Sequence, residues 1–201
     1  MIRLIALLAL LLTALAPAIA APPPAAPARV TLQTSAGTIT LQLEPRRAPI
    51  TTANFLRYVD GGKLDGTTFY RAARTKGAQG RGFIQGGIHH SYTRMYPPIA
   101  HEPTNRTGVH HVDGTISMAR TTPGSAMGDF FIIAGAMPSM DAHPGAAGDN
   151  AGFAAFGHVV GGMDVVRRIL ASPTVANAGV GAMRGQMITA PVQIIAARRA
   201  K

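Results

Sequence analysis

The chain has 201 residues, with 19 Lys and Arg against 9 Asp and Glu, 23 Gly, 15 Pro, and neither Cys nor Trp. That length suits a single domain with its own core, and the lack of cysteine excludes a disulfide scaffold, a zinc finger, an iron–sulfur protein and a thiol nucleophile. With 14% charged residues the chain is no disordered polyelectrolyte, and its glycines and prolines rule out a long helical or coiled-coil protein, which leaves a turn-rich, β-rich domain.

The chain opens on Met1-Ile2-Arg3, continues through the apolar run Leu4 to Leu12, and reaches the small residues Ala18-Ile19-Ala20. A basic start, a short apolar stretch and A-x-A are the layout of a secretory signal peptide, so residues 1–20 are expected to be cleaved and the protein to be exported to the periplasm. A membrane anchor fits less well, because the apolar run is short and holds Pro17. Residues 21–28 (APPPAAPA) are expected to form an extended linker, and residues 29–201 the folded domain. Export also bears on the charge. The arginines occur singly or in pairs with no basic stripe interleaved with aromatics, so no nucleic-acid partner is expected and the basic surface is a solvated one.

From Arg29 the pattern becomes alternating. Val30, Leu32, Ile39, Leu41 and Leu43 are separated by polar residues around the turn Ser35-Ala36-Gly37, which reads as a hairpin with one buried face. Residues 49–59 read as an amphipathic helix capped by Thr51 or Thr52 and stopped by Gly61-Gly62. Short apolar runs between turns follow at 67–70, 82–85, 114–118, 130–133 and 155–160. A second helix is expected over 163–170, stopped by Ser172-Pro173, and a last strand over 192–197. Many short strands with two helices predict a closed barrel capped by helices; 74–81 and 141–152 are the long irregular loops.

Several chemistries lack their residues. No G-x-S-x-G elbow is present, and His101-Glu102 fails to continue as H-E-x-x-H because residue 105 is Asn and Pro103 forbids the helix. The doublets His89-His90 and His110-His111 point apart if they lie in strands, so no metal site is expected. Gly77-x-x-Gly80-x-Gly82 is not a phosphate-binding loop. Asn105-Arg106-Thr107 fits a glycosylation sequon only as a weak signal. What remains is an arginine, a glutamine and apolar side chains, an inventory for a hydrophobic cleft with one fixed cation.

Phe69-Tyr70-Arg71, Gly82-Phe83-Ile84-Gln85-Gly86-Gly87, Gly114-Thr115-Ile116-Ser117-Met118-Ala119-Arg120, Gly128-Asp129-Phe130-Phe131-Ile132-Ile133 and Phe156-Gly157-His158-Val159-Val160 occur in that order. They resemble the cyclophilins, whose pattern is F-H-R, G-F-M-x-Q-G-G, G-x-x-S-M-A, S-Q-F-F-I and F-G-x-V; Thr52-Ala53-Asn54-Phe55 also fits that family's T-x-x-N-F. The resemblance runs from about Val30 to Ala197. It implies a mainly β fold, a closed eight-stranded antiparallel barrel capped by two α-helices, and peptidyl-prolyl cis–trans isomerase activity that needs neither metal nor cofactor. By the same resemblance Arg71, Gln85 and Phe131 are the catalytic residues, and Phe83, Ala119, Arg120, Asp129, Met140 and Phe153 bind substrate. The implied partners are Pro-containing peptides and unfolded exported proteins, and a monomer is expected. The other reading is a cyclophilin-like module that holds Pro-containing segments with little turnover.

The chain departs from the family at identifiable places. Gly82 falls where a Phe is usual, Arg120 replaces Asn, and Asp129 replaces Gln. Opposite charges at Arg120 and Asp129 suggest a local ion pair lining the groove. Ser139 stands where many members carry Trp, which implies weak binding of the cyclic peptide cyclosporin.

Overall fold

The computed structural model describes residues 28–89 and 91–200. The expected signal peptide, and all of the linker except Ala28, lie outside the described residues.

The described residues form nine strands: β1 (Ala28–Thr34), β2 (Gly37–Leu43), β3 (Thr68–Arg74), β4 (Gly82–Gly87), β5 (Thr115–Met118), β6 (Phe130–Ala134), β7 (Ala154–Gly161), β8 (Thr174–Val175) and β9 (Met187–Ala200). They pair in the order β1-β2-β7-β5-β6-β4-β3-β9, and β9 pairs back onto β1, so eight strands close into an antiparallel barrel; β8 hangs outside the ring on β9. The alternation seen in the sequence sets the inward face. Val30, Leu32, Ile39, Leu41 and Leu43 are all buried, and Phe130 meets Phe55 and Phe69 edge-on at 5.4 and 5.7 Å. Edge-to-face packing suits the ring quadrupoles and gives the interior a fixed arrangement rather than a fluid one.

Helix α1 (Pro49–Asp60) and helix α3 (Met163–Leu170) close the barrel, with a one-turn helix α2 (Thr104–Thr107) between them. Neither Thr51 nor Thr52 caps α1. Both are buried inside its first turn behind Pro49, and the N-terminal amides are satisfied from far away in sequence. Glu102 accepts from the backbone N–H groups of Ile50 (3.1 Å) and Thr51 (2.7 Å) and from the Thr51 hydroxyl (2.6 Å), placing a negative charge at the positive end of the helix dipole. Helix α3 buries Val165, Val166, Ile169 and Leu170 and sets Arg167 and Arg168 in its last turn, as its periodicity predicts. The last strand is longer than expected because much of β9 is exposed, so its sequence lacks a clean apolar alternation.

Strand β6 is buried on both faces: Phe130 and Ile132 belong to the interior, while Phe131 and Ile133 belong to a second, smaller apolar cluster with Ala73 and Phe83. That outer cluster is covered by the chain from Met137 to Phe153, and it marks the site.

Candidate active site

Antiparallel register carries one row of side chains across four neighbouring strands: Arg71 on β3 lies opposite Gln85 on β4, Gln85 opposite Phe131 on β6, and Phe131 opposite Ser117 on β5. The next row holds Ala73, Phe83 and Ile133. Side chains directly across a sheet share a face, so the outer wall of the barrel presents a cation, an amide and aromatic rings side by side.

Arg71 is held at two points. Its Nε donates to Gln186 Oε1 and its Nη1 to Gln85 Oε1, both at 2.8 Å, and its guanidinium carbon lies 4.9 Å from the centre of the Phe83 ring. Burial lowers its pKa from the ordinary value, but a guanidinium stays charged in proteins. Gln85 in turn donates from Nε2 to the Tyr70 hydroxyl at 2.7 Å. Gly82 has φ +146° where a family Phe was expected, and a Cβ there would run into the carbonyl of Ala73, so the residue can carry no side chain; Phe83 supplies the ring instead.

Beside the guanidinium, Phe131 forms the floor of an apolar pocket. Phe83 lies 5.2 Å away, Phe153 stands edge-on at 5.3 Å, and Met140, Met137 and Ala119 pack around them. Met140 and Phe153 sit at the two ends of the long loop, and the Phe153 N–H donates to the Met140 carbonyl at 3.0 Å, closing the loop at its base.

The expected ion pair between Arg120 and Asp129 does not form. Arg120 turns toward the long loop, where it makes two bonds to the Asp149 carboxylate (2.6 and 2.9 Å) and donates to the Gly152 carbonyl, with its guanidinium 5.0 Å over the Phe153 ring. A carboxylate from the irregular loop offers it bidentate geometry. Asp129 instead accepts from the His89 backbone N–H at 2.9 Å. Arg120 therefore borders the pocket through Phe153 rather than reaching into the groove as a free side chain.

Sequence reasoning passed over three of the polar residues here. Tyr70 and Gln186 fix Gln85 and Arg71, and no spacing rule points to either. His111, weighed only as half of a metal doublet, is buried behind the pocket with its ring parallel to Phe131 at 6.0 Å. Its Nδ1 lies 2.6 Å from Asp141 Oδ1 and its Nε2 lies 3.0 Å from Ser117 Oγ. This is the hydrogen-bond order of an acyl-transfer triad, but Ser117 is fully buried, so no substrate carbonyl reaches its hydroxyl. The group acts as a buried brace between β5 and the start of the long loop.

Residues 29–198 match the sequence model of the family described as cyclophilin type peptidyl-prolyl cis-trans isomerase/CLD. The chain is 38% identical over 159 residues to peptidyl-prolyl cis-trans isomerase A of Dickeya dadantii, covering 79% of this chain and 77% of that one. It is 37% identical over 173 residues to peptidyl-prolyl cis-trans isomerase cyp18 of Streptomyces antibioticus, covering 86% and 96%. In fold it is similar to the crystal structure of a Cryptosporidium parvum cyclophilin type peptidyl-prolyl cis-trans isomerase, with TM-score 0.67 at 18% identity, covering 88% of this chain and 99% of that one. A barrel of the expected topology, a matching family model over most of the chain and relatives well above 30% identity agree: the chain belongs to the cyclophilin-type peptidyl-prolyl cis–trans isomerase family.

Proposed function

We propose that the protein catalyses rotation about X–Pro peptide bonds in Pro-containing peptides, with Arg71 as the group that stabilises the twisted bond. The barrier to rotation, about 18–20 kcal/mol, comes from delocalisation of the nitrogen lone pair into the carbonyl. At the twisted state the prolyl nitrogen regains that pair and accepts a hydrogen bond. Arg71 suits this task because Nε and Nη1 are committed to Gln186 and Gln85, so the fork is fixed while the Nη2 donors are engaged by neither glutamine. A donor that binds the twisted nitrogen better than the planar one lowers the barrier in both directions equally, without proton transfer or a covalent intermediate. The proline ring occupies the apolar pocket of Phe131, Phe83, Met140 and Phe153, and Ala119 borders the peptide groove. The observation that carries this reading is a doubly anchored arginine fixed against the wall of that pocket.

The substrates proposed are unfolded exported proteins in the periplasm, on the strength of the basic, apolar, A-x-A leader in residues 1–20. Ser139 is exposed on the short turn Pro138–Met140 at the pocket rim, and a serine there offers cyclosporin none of the area of a Trp, so binding of that ligand is weak. Replacing Ser139→Trp is expected to tighten it by at least tenfold in a competition assay; an unchanged affinity contradicts the role given to this position.

The test of function is two-dimensional NMR exchange on an Ala-Pro peptide. Exchange between cis and trans peaks accelerated by substoichiometric protein supports the proposal. Peptide binding with no acceleration shows a holding module instead.

A further inference from the structure

We propose that Arg81, supported by Lys76, forms a cationic subsite beside the prolyl pocket that selects X–Pro segments carrying an acidic side chain near the proline. The inference rests on the isomerase reading above and extends it to the choice of substrate. From Gly66 to His101 the chain holds no Asp or Glu, while Arg71, Arg74, Lys76 and Arg81 lie on the β3–β4 hairpin within that stretch. Every carboxylate side chain of the protein is engaged elsewhere: five on arginines outside the hairpin, Glu44 and Asp141 on histidines, and Glu102 and Asp129 on backbone N–H groups. Among the described residues, none of the four hairpin cations has a carboxylate partner.

The three arginines are held by neutral acceptors, which fix a guanidinium without cancelling its charge. Arg71 donates to two glutamines. Arg74 donates from Nε to the Leu170 carbonyl at 2.9 Å and from Nη2 to that of Ser172, at the end of α3. Arg81 donates from Nη2 to the Ala136 carbonyl at 2.6 Å, leaving its Nε and Nη1 without a partner among the described residues. Lys76 is exposed at the hairpin tip, and its ammonium likewise has no partner among them. Asp113 reaches the same turn but accepts from the Gly135 N–H and from Arg167 Nη2, each at 2.7 Å.

Strand register places Arg81 on the pocket side. Phe83 lies opposite Ile133, and both belong to the pocket's apolar cluster. Arg81 and Gly135 stand two residues further along, on the same face, and they meet there. A Cβ on Gly135 would come within 2.9 Å of the Arg81 Cγ, so the glycine leaves the arginine stem room to cross the strand end. The Ala136 carbonyl that fixes the guanidinium is followed directly by Met137, which packs on the same cluster. Two residues of strand span about 7 Å, so Arg81 lies about that far beyond Phe83, the distance a peptide covers in two residues from the proline. The tip is held by its own turns: the Thr75 N–H donates to the Arg81 carbonyl at 2.8 Å, and the Ala78 and Arg81 N–H groups donate to the Thr75 and Ala78 carbonyls at 3.2 Å. Cations at the edge of an apolar cleft raise the local potential and favour a carboxylate on the bound chain.

The test compares catalysed exchange rates by NMR for four end-blocked peptides: Glu-Ala-Pro-Ala, Ala-Pro-Ala-Glu and their Gln counterparts. Wild type is expected to favour one Glu peptide over its Gln counterpart by about two- to fivefold at low ionic strength, the range of an exposed ion pair, and to lose that preference in about 0.5 M salt. The double variant Arg81→Gln, Lys76→Gln is expected to show no preference. The Glu-to-Gln ratio cancels any loss of activity common to both peptides, and melting temperature shows whether the variant is folded. If it is not, the salt dependence of the wild-type ratio decides. Equal rates for the Glu and Gln peptides with wild type overturn the subsite, as does a preference that survives the double substitution or high salt. A wild-type protein that accelerates none of the four overturns the isomerase reading, and the subsite with it.

Discussion

Phe130 and Phe131 are sequence neighbours on β6 that serve opposite sides of the barrel wall, one sealed in the interior against Phe55 and Phe69, the other forming the pocket floor between Phe83 and Phe153. Period-two geometry alone divides stability from function between them. Phe130→Ala leaves an interior cavity and should cost about 3–5 kcal/mol. Phe131→Ala empties a pocket that substrate or water refills, so its cost in stability is smaller while kcat/KM falls at least tenfold, about 1.4 kcal/mol of barrier. Melting temperature and kcat/KM of both variants check this; the reverse order of effects contradicts the assignment.

Arg120 links the pocket to the long loop, and its two bonding partners differ in kind. Asp149 is an exposed partner, whereas the Arg120 side chain is 3% exposed and also satisfies the Gly152 carbonyl. Asp149→Asn should leave the melting temperature nearly unchanged, as exposed pairs do. Arg120→Ala strips the Gly152 carbonyl and the Phe153 ring of their cover, with an expected cost of about 1–3 kcal/mol and a raised KM for X–Pro peptides. Thermal melts and steady-state kinetics separate the two; equal effects of the two variants count against this account of the loop.

His111 makes the fold sensitive to acid in a specific window. Burial holds its imidazole below the ordinary 6.5, outweighing the pull of Asp141, so the fold favours neutral His111. A histidine with a depressed folded pKa contributes stability that is complete above its unfolded value and is lost as pH falls through the folded one. For Asp141, burial alone would raise the carboxyl, but bonds from the His111 ring and backbone and from His110 outweigh it and hold it below 3.8. Its contribution persists until more acid conditions. Stability should therefore decline in two stages as pH falls, the first setting in below about pH 6.5, and His111→Gln should abolish the first. Chemical denaturation across pH 7 to 3 reads this out; superimposable profiles for wild type and variant contradict it.

The sequence revealed most of the barrel because its hairpins and short strands are local patterns. The alternation from Val30 to Leu43 is the buried face of β1 and β2, and the stretch 163–170 is α3. What it concealed depends on residues brought together from far apart. The cap of α1 is Glu102, some fifty residues downstream of the helix it serves, so the local threonines drew attention to the wrong group. Arg120 finds Asp149 in a loop without periodicity, where no rule of spacing could have chosen it over Asp129. The bulge at Tyr70, which has no partner of its own on β4, is invisible in sequence because a one-residue mismatch exists only relative to the partner strand.

The central claim is that Arg71 stabilises the twisted prolyl nitrogen, and NMR exchange of an Ala-Pro peptide with wild type and Arg71→Ala tests it most directly. The expected result is accelerated exchange with wild type and a loss of at least tenfold in Arg71→Ala, about 1.4 kcal/mol of barrier, with an unchanged circular dichroism spectrum. Activity of the variant within about twofold of wild type, with the fold intact, is well short of that tenfold loss and would contradict the account.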